Sequence, residues 1–115
     1  YSAFGGSKGD LESTITFLKK AMKIFPAYQH LNANIQIKLG EGAGGGEPAA
    51  TATGRVMCFN PQELKPREGE DEGHMFMCGL WYVDEYVRTE VGWRMKTRLE
   101  EKSYVFNRPE FMKGV

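Results

Sequence analysis

A chain of 115 residues is enough for one domain with one core and too short to expect two. Hydrophobic residues at 41% and charged residues at 26% are ordinary globular usage, and fifteen basic against fifteen acidic residues leave no net charge to draw nucleic acid or an anionic membrane. No apolar run approaches the roughly 20 residues of a membrane-spanning helix. The first residues show no signal-peptide pattern, although a chain that opens on Tyr1 rather than Met leaves room for a leader upstream.

Ser7-Lys8-Gly9-Asp10 has the Ser-x-x-Asp form of a helix start, with Ser7 placed to cap free N–H groups and Asp10 and Glu12 at the positive end of the dipole. Leu11, Ile15, Leu18, Met22 and Phe25 recur at steps of three and four, one apolar stripe of a helix over 8–25. Pro26 ends it, because the residue before proline is pushed out of helical geometry.

The period then changes to two. Leu31, Ala33, Ile35, Ile37 and Leu39 alternate with Asn32, Asn34, Gln36 and Lys38, a half-buried strand. Gly40 to Pro48 holds five glycines; because it leads into a strand, Ala49 to Phe59, and not into a helix N-terminus, it is a hairpin connection and not a phosphate cradle. Asn60-Pro61 is expected to stop that strand. Gln62 to Gly73 is a charged, solvated loop. Met75 to Arg88 and Trp93 to Phe106 are two further strands around the turn Thr89-Glu90-Val91-Gly92, and residues 107–115 form a loosely held tail. One main helix followed by strands predicts a single α+β domain, the helix packed on an antiparallel sheet of four or more strands.

A four-residue turn pairs Arg88 with Trp93, hence Tyr86 with Met95, Asp84 with Thr97 and Tyr82 with Leu99 on one face. That face is apolar and aromatic except for Asp84. Trp81, Val83, Glu85 and Val87 share the other with Glu100, Arg98, Lys96 and Arg94. A β-bulge swaps the assignment.

Cys58 and Cys78 lie in apolar strand-like runs, without the closely spaced Cys or His of a disulfide framework or a metal site. They are expected as buried thiols, no metal is predicted, and a reducing, cytoplasmic setting fits. No Gly-x-Ser-x-Gly elbow is present, and neither cysteine has a nearby histidine in sequence, so covalent catalysis has no support.

Tyr1-Ser2-Ala3-Phe4-Gly5-Gly6, Gln29-His30-Leu31, Asn60-Pro61, the run from Gly79 to Arg88 and Gly92-Trp93-Arg94-Met95 together resemble SnoaL-like proteins of the nuclear-transport-factor-like superfamily in order and spacing. The resemblance implies a cystatin-like cone: a strongly curved antiparallel sheet wrapped around helices, with an apolar pocket at one end. It implies dimerisation, or a partner subunit, through the sheet. It also implies that about 40 to 50 residues, two helices and an opening strand, precede the position of Tyr1 in such proteins; relative to the family the chain is either a fragment or a form without half its lid. The superfamily includes polyketide cyclases, isomerases and dehydratases as well as members without known activity, and fold alone does not choose among them.

The resemblance makes His30 a candidate acid or base, as a histidine near the start of this strand acts in the dehydratases; imidazole titrates near neutrality. The alternative is a strand-opening histidine bonded to a neighbouring carbonyl, and simple alternation puts it on the polar side with Asn32. Asp84, a carboxylate on an otherwise apolar face, is a candidate general base or neutral donor, or else an ion-pair partner of Arg88 or Arg98. Tyr82 and Tyr86 share that face and are placed to bind substrate or an oxyanion. Asn32, Met57 and Trp81 are the further substrate-binding candidates, the last two read most simply as packing. His74 is expected at the surface. The expected function is a pocket for a small, apolar, oxygenated molecule, used by a lyase or isomerase without organic cofactor, or else a non-catalytic ligand-binding or assembly module of the same fold.

Overall fold

Asp10 caps the helix. The computed structural model of the chain describes residues 8–42 and 46–114, so Ser7 lies outside the described residues. The Asp10 carboxylate accepts from the Ser13 N–H at 2.9 Å, and α1 runs over Leu11–Ala21 before a 3-10 turn, Met22–Ile24. Such a cap is worth about 1 kcal/mol. Pro26 follows, as expected.

Among the described residues five strands form one antiparallel sheet: β1 (Ala27–Tyr28), β2 (Leu31–Leu39), β3 (Thr51–Leu64), β4 (His74–Thr89) and β5 (Gly92–Phe106). Both β1 and β2 lie along the same edge of β3, followed by β4 and β5. With α1 this is an α+β fold. Strands of 14 to 16 residues make the molecule long, 67 × 28 × 23 Å with a radius of gyration of 17.5 Å, against about 13 Å for a compact domain of some 100 residues.

β3 does not stop at Asn60-Pro61. It continues to Leu64, with Pro61 opposite Met77. A strand residue points its N–H and C=O to the same side, and the Pro61 carbonyl accepts from Gln29 N–H at 3.0 Å, between β1 and β2. The missing proline N–H therefore falls where the edge strand is itself interrupted, which is where a sheet tolerates proline.

Three register shifts decide which side chains meet. Between Ala33 opposite Met57 and Gln36 opposite Arg55, two residues, Asn34 and Ile35, stand against Val56 alone. Asn34 takes φ 48°, left-handed geometry that asparagine tolerates. On β5, Lys96 is the extra residue between the pairs Tyr86–Met95 and Glu85–Thr97, and Ser103 is another between Leu80–Lys102 and Gly79–Tyr104. The hairpin turn is as read from the sequence, with Arg88 opposite Trp93. Beyond Lys96 the expectation fails: Asp84 pairs with Arg98 rather than Thr97, and Tyr82 with Glu100 rather than Leu99.

Burial alternates cleanly along β3 and β4, and the buried side chains define an inner face. Its core is Val56, Cys58, Phe76, Cys78, Leu80 and Tyr82, joined by Met112. Residues 107–114 are not the loose tail expected from composition. Pro109 is fully buried, Met112 joins the core, and Phe111 meets Phe76 edge-on at 6.3 Å. His74 Nε2 donates to the Asn107 carbonyl at 2.7 Å, and Asn107 Nδ2 to the Met75 carbonyl at 2.5 Å, fastening the tail to the start of β4. Among the described residues no helix is long and apolar enough to cross a membrane.

Candidate functional site

Between α1 and the tail end of the sheet lies a cavity of about 330 Å³. Phe17, Leu18, Met22 and Phe25 close it from the helical side, and Phe76 and Leu80 from β4, so only the later part of the apolar stripe reaches the cavity, while Leu11 and Ile15 are exposed. The tail supplies the remaining wall through Phe111 and Met112.

Polar groups enter this apolar chamber from β3, from β5 and from the link between β1 and β2. β1 and β2 keep one register against β3, Tyr28 opposite Gln62 and Leu31 opposite Phe59, so His30 stands beside Asn60 on the inner face. The polar side of this strand is thus the inner side at its start, and the bulge at Asn34–Ile35 then turns Ile37 and Leu39 inward opposite Gly54 and Ala52. Leu31 and Ala33 face outward, contrary to the single apolar face expected for the whole strand. His30, Asn60, Gln62 and Glu100 all line the cavity.

His30 sits at the cavity's rim, its ring edge-on to Tyr28 at 6.1 Å. Partial burial, and then the positive charge of Arg98, hold its pKa below the ordinary 6.5. At neutral pH the imidazole is therefore uncharged and able to accept a proton. Burial likewise raises both thiols, Cys78 to about 11, so they are inert apolar groups rather than nucleophiles. Among the described residues no cluster of three or more His, Cys, Asp or Glu could hold a metal ion.

Asp84 shares the inner face with His30 but does not line that cavity. Its side chain is 0% exposed, and Arg98 grips it with Nε to Oδ1 at 2.8 Å and Nη2 to Oδ2 at 2.7 Å. The Tyr86 hydroxyl donates to Oδ2 at 2.6 Å. A carboxylate with three such donors and no exposure has nothing left to offer a substrate. The extra residue Lys96 causes this, because it turns Arg98 onto the face where the sequence alone left Asp84 among apolar neighbours. The same guanidinium lies 3.9 Å from the centre of the Tyr82 ring.

Of the residues nominated from the sequence, then, His30 alone lines the cavity among those described. Tyr82, Tyr86 and Asn32 share its face outside the cavity, Asn32 opposite Cys58. Met57 and Trp81 are opposite one another on the outer face, where Arg55 stacks on Trp81 at 4.6 Å and pairs with Glu101 at 2.8 Å. Side chains one residue apart point to opposite faces, so neither can join Asp84 or His30. Sequence alternation does not find Glu100, Asn60 or Gln62: it puts Glu100 on the opposite face, and the Asn60-Pro61 pair reads as a strand end.

A model of the SnoaL-like domain matches residues 1–99. The chain belongs to that family. Uncharacterized proteins of Mycobacterium tuberculosis and Mycobacterium bovis are each 34% identical to it over 104 residues, covering 90% of this chain and 63% of theirs. This SnoaL-like chain thus spans less than two thirds of the length of those relatives. The crystal structure of the Kfla4162 protein from Kribbella flavida superposes with a TM-score of 0.70 at 21% identity, covering 84% of this chain and 60% of that one. That likeness supports the nuclear-transport-factor-like cone as the fold of the chain and says nothing of its reaction.

Proposed function

We propose that this SnoaL-like chain binds a flat, apolar, oxygenated small molecule in the cavity beneath α1 and that His30 moves a proton next to the ligand's carbonyl, as in a lyase or isomerase. One observation carries the reading: an imidazole held neutral at the rim of a chamber walled by aromatic and aliphatic side chains. A neutral histidine near its working pH is an effective general base, and proton transfer of this kind needs no organic cofactor. In this reading Asp84 is a positioning residue: it fixes Arg98, whose charge reaches His30, and Tyr86. Tyr82 is held under Arg98 and Asn32 borders the cavity's edge strand. The two buried thiols fit a reducing, cytoplasmic setting.

Exchange of the α-hydrogens of 2-tetralone in deuterated buffer tests it. The protein should accelerate exchange, and His30→Ala should return the rate to background while leaving ligand binding in place. Unaltered exchange with the His30→Ala protein ends the proposal.

A second reading, an assembly module, draws on the outer face, where Leu31, Phe59, Tyr104 and Phe106 are exposed. Apolar side chains so grouped favour a homodimer or a partner subunit through the sheet. A stable monomer by sedimentation at micromolar concentration argues against it.

A further inference from the structure

One acceptor in the polar part of the cavity wall has no donor. Asn60 is 9% exposed, and its Oδ1 has no hydrogen-bond partner among the described residues. Its neighbours do not supply one. On one side the edge strand is interrupted at Gln29 and His30; on the other stands Cys78, whose sulfur itself receives Gln62 Nε2 at 3.7 Å. A buried amide oxygen left unpaired costs free energy, which any group bringing it a proton recovers.

The surrounding groups point the same way. Glu100, opposite Tyr82, is the acidic side chain of the wall. His30 in its neutral form offers one acceptor nitrogen and one N–H, neither of them charged. Among the described residues no lysine or arginine lines the cavity, so no cationic side chain there offsets the charge of a ligand carboxylate or phosphate. The remaining surface is aromatic and aliphatic, suited to a ring.

We infer that Asn60 is the specificity-determining residue of the cavity, and that the ligand is an uncharged, hydroxylated ring compound whose O–H is donated to Asn60 Oδ1. The inference rests on the reading of the cavity as a small-molecule pocket and adds what that reading leaves open, the polarity of the ligand's oxygen. A hydroxyl is preferred over an isosteric methyl group even though the methyl compound is the more readily expelled from water.

Calorimetric titration of the wild-type chain with 2-naphthol, 2-methylnaphthalene and 2-naphthoate provides the test. The expected result is at least tenfold tighter binding of 2-naphthol than of 2-methylnaphthalene, with 2-naphthoate the weakest. In Asn60→Leu the preference for the hydroxyl should disappear while 2-methylnaphthalene still binds. Equal affinities in the wild type, tighter 2-naphthoate, or an unchanged preference in Asn60→Leu overturns the inference and leaves the pocket reading standing. If none of the three binds at its solubility limit, the pocket reading fails and takes the inference with it. The wild-type comparison does not depend on the variant folding.

Discussion

The ring of Tyr86 lies across the bare α-carbon of Gly54, so close that a β-carbon built there would stand 2.7 Å from the tyrosine Cε2 and hydroxyl oxygen. Gly54 is opposite Asp84 on the neighbouring strand, and the missing side chain is what lets the Tyr86 hydroxyl reach the buried carboxylate. A glycine inside a long strand weakens it unless another group comes close at that point. Here the group is a tyrosine.

Gly54→Ala should therefore destabilise the chain by about 1–3 kcal/mol, as overpacking of a fitted site does, and should break the Tyr86–Asp84 hydrogen bond. Chemical denaturation of Gly54→Ala, Tyr86→Phe and the double variant checks this. Because both changes sever one contact, their effects should sum to less than additive. Full additivity would mean that the glycine serves another purpose.

Arg98→Met leaves Asp84 charged and buried without its partner, a loss of about 3–5 kcal/mol. Replacing both, as Asp84→Asn with Arg98→Met, should recover much of it, since the pair then goes as a unit. Unfolding in urea is the measurement, and a single variant no less stable than the double one would contradict the assignment of Arg98 as the partner.

The depressed pKa of His30 makes stability depend on pH with a definite sign. In the unfolded chain the imidazole titrates near 6.5 and in the folded chain lower, so between the two values the unfolded state binds more protons. Stability should be undiminished above about pH 6.5 and decline as the pH falls through the folded value. The slope should vanish in His30→Gln. Proton NMR of the His30 ring should give a pKa under 6.5; a value at or above it removes the argument for a neutral base.

Both thiols should be nearly unreactive towards a disulfide reagent at pH 8 in the native chain and react fully in guanidinium, because burial raises Cys58 and lifts Cys78 to about 11. Rapid native labelling of either would place it outside the core.

Much of the fold was written locally. The helix after Asp10, the stop at Pro26, the existence of a strand from Leu31 to Leu39 and the turn that sets Arg88 against Trp93 each follow from the geometry of a helix or a strand, which neighbours in sequence suffice to reveal. The candidate site was legible only in part. His30 could be nominated only through the resemblance to SnoaL-like proteins, since simple alternation puts it on the polar side of its strand, and the company it keeps was not legible at all. Asn34–Ile35, Lys96 and Ser103 each add one residue to a strand with a side-chain period of two, and one extra residue turns everything beyond it to the opposite face. That is how Arg98 came to neutralise Asp84 and how Glu100 came to the cavity. Where a strand bulges is decided by its partners across the sheet, and so the face of the chemistry belonged to the tertiary structure alone.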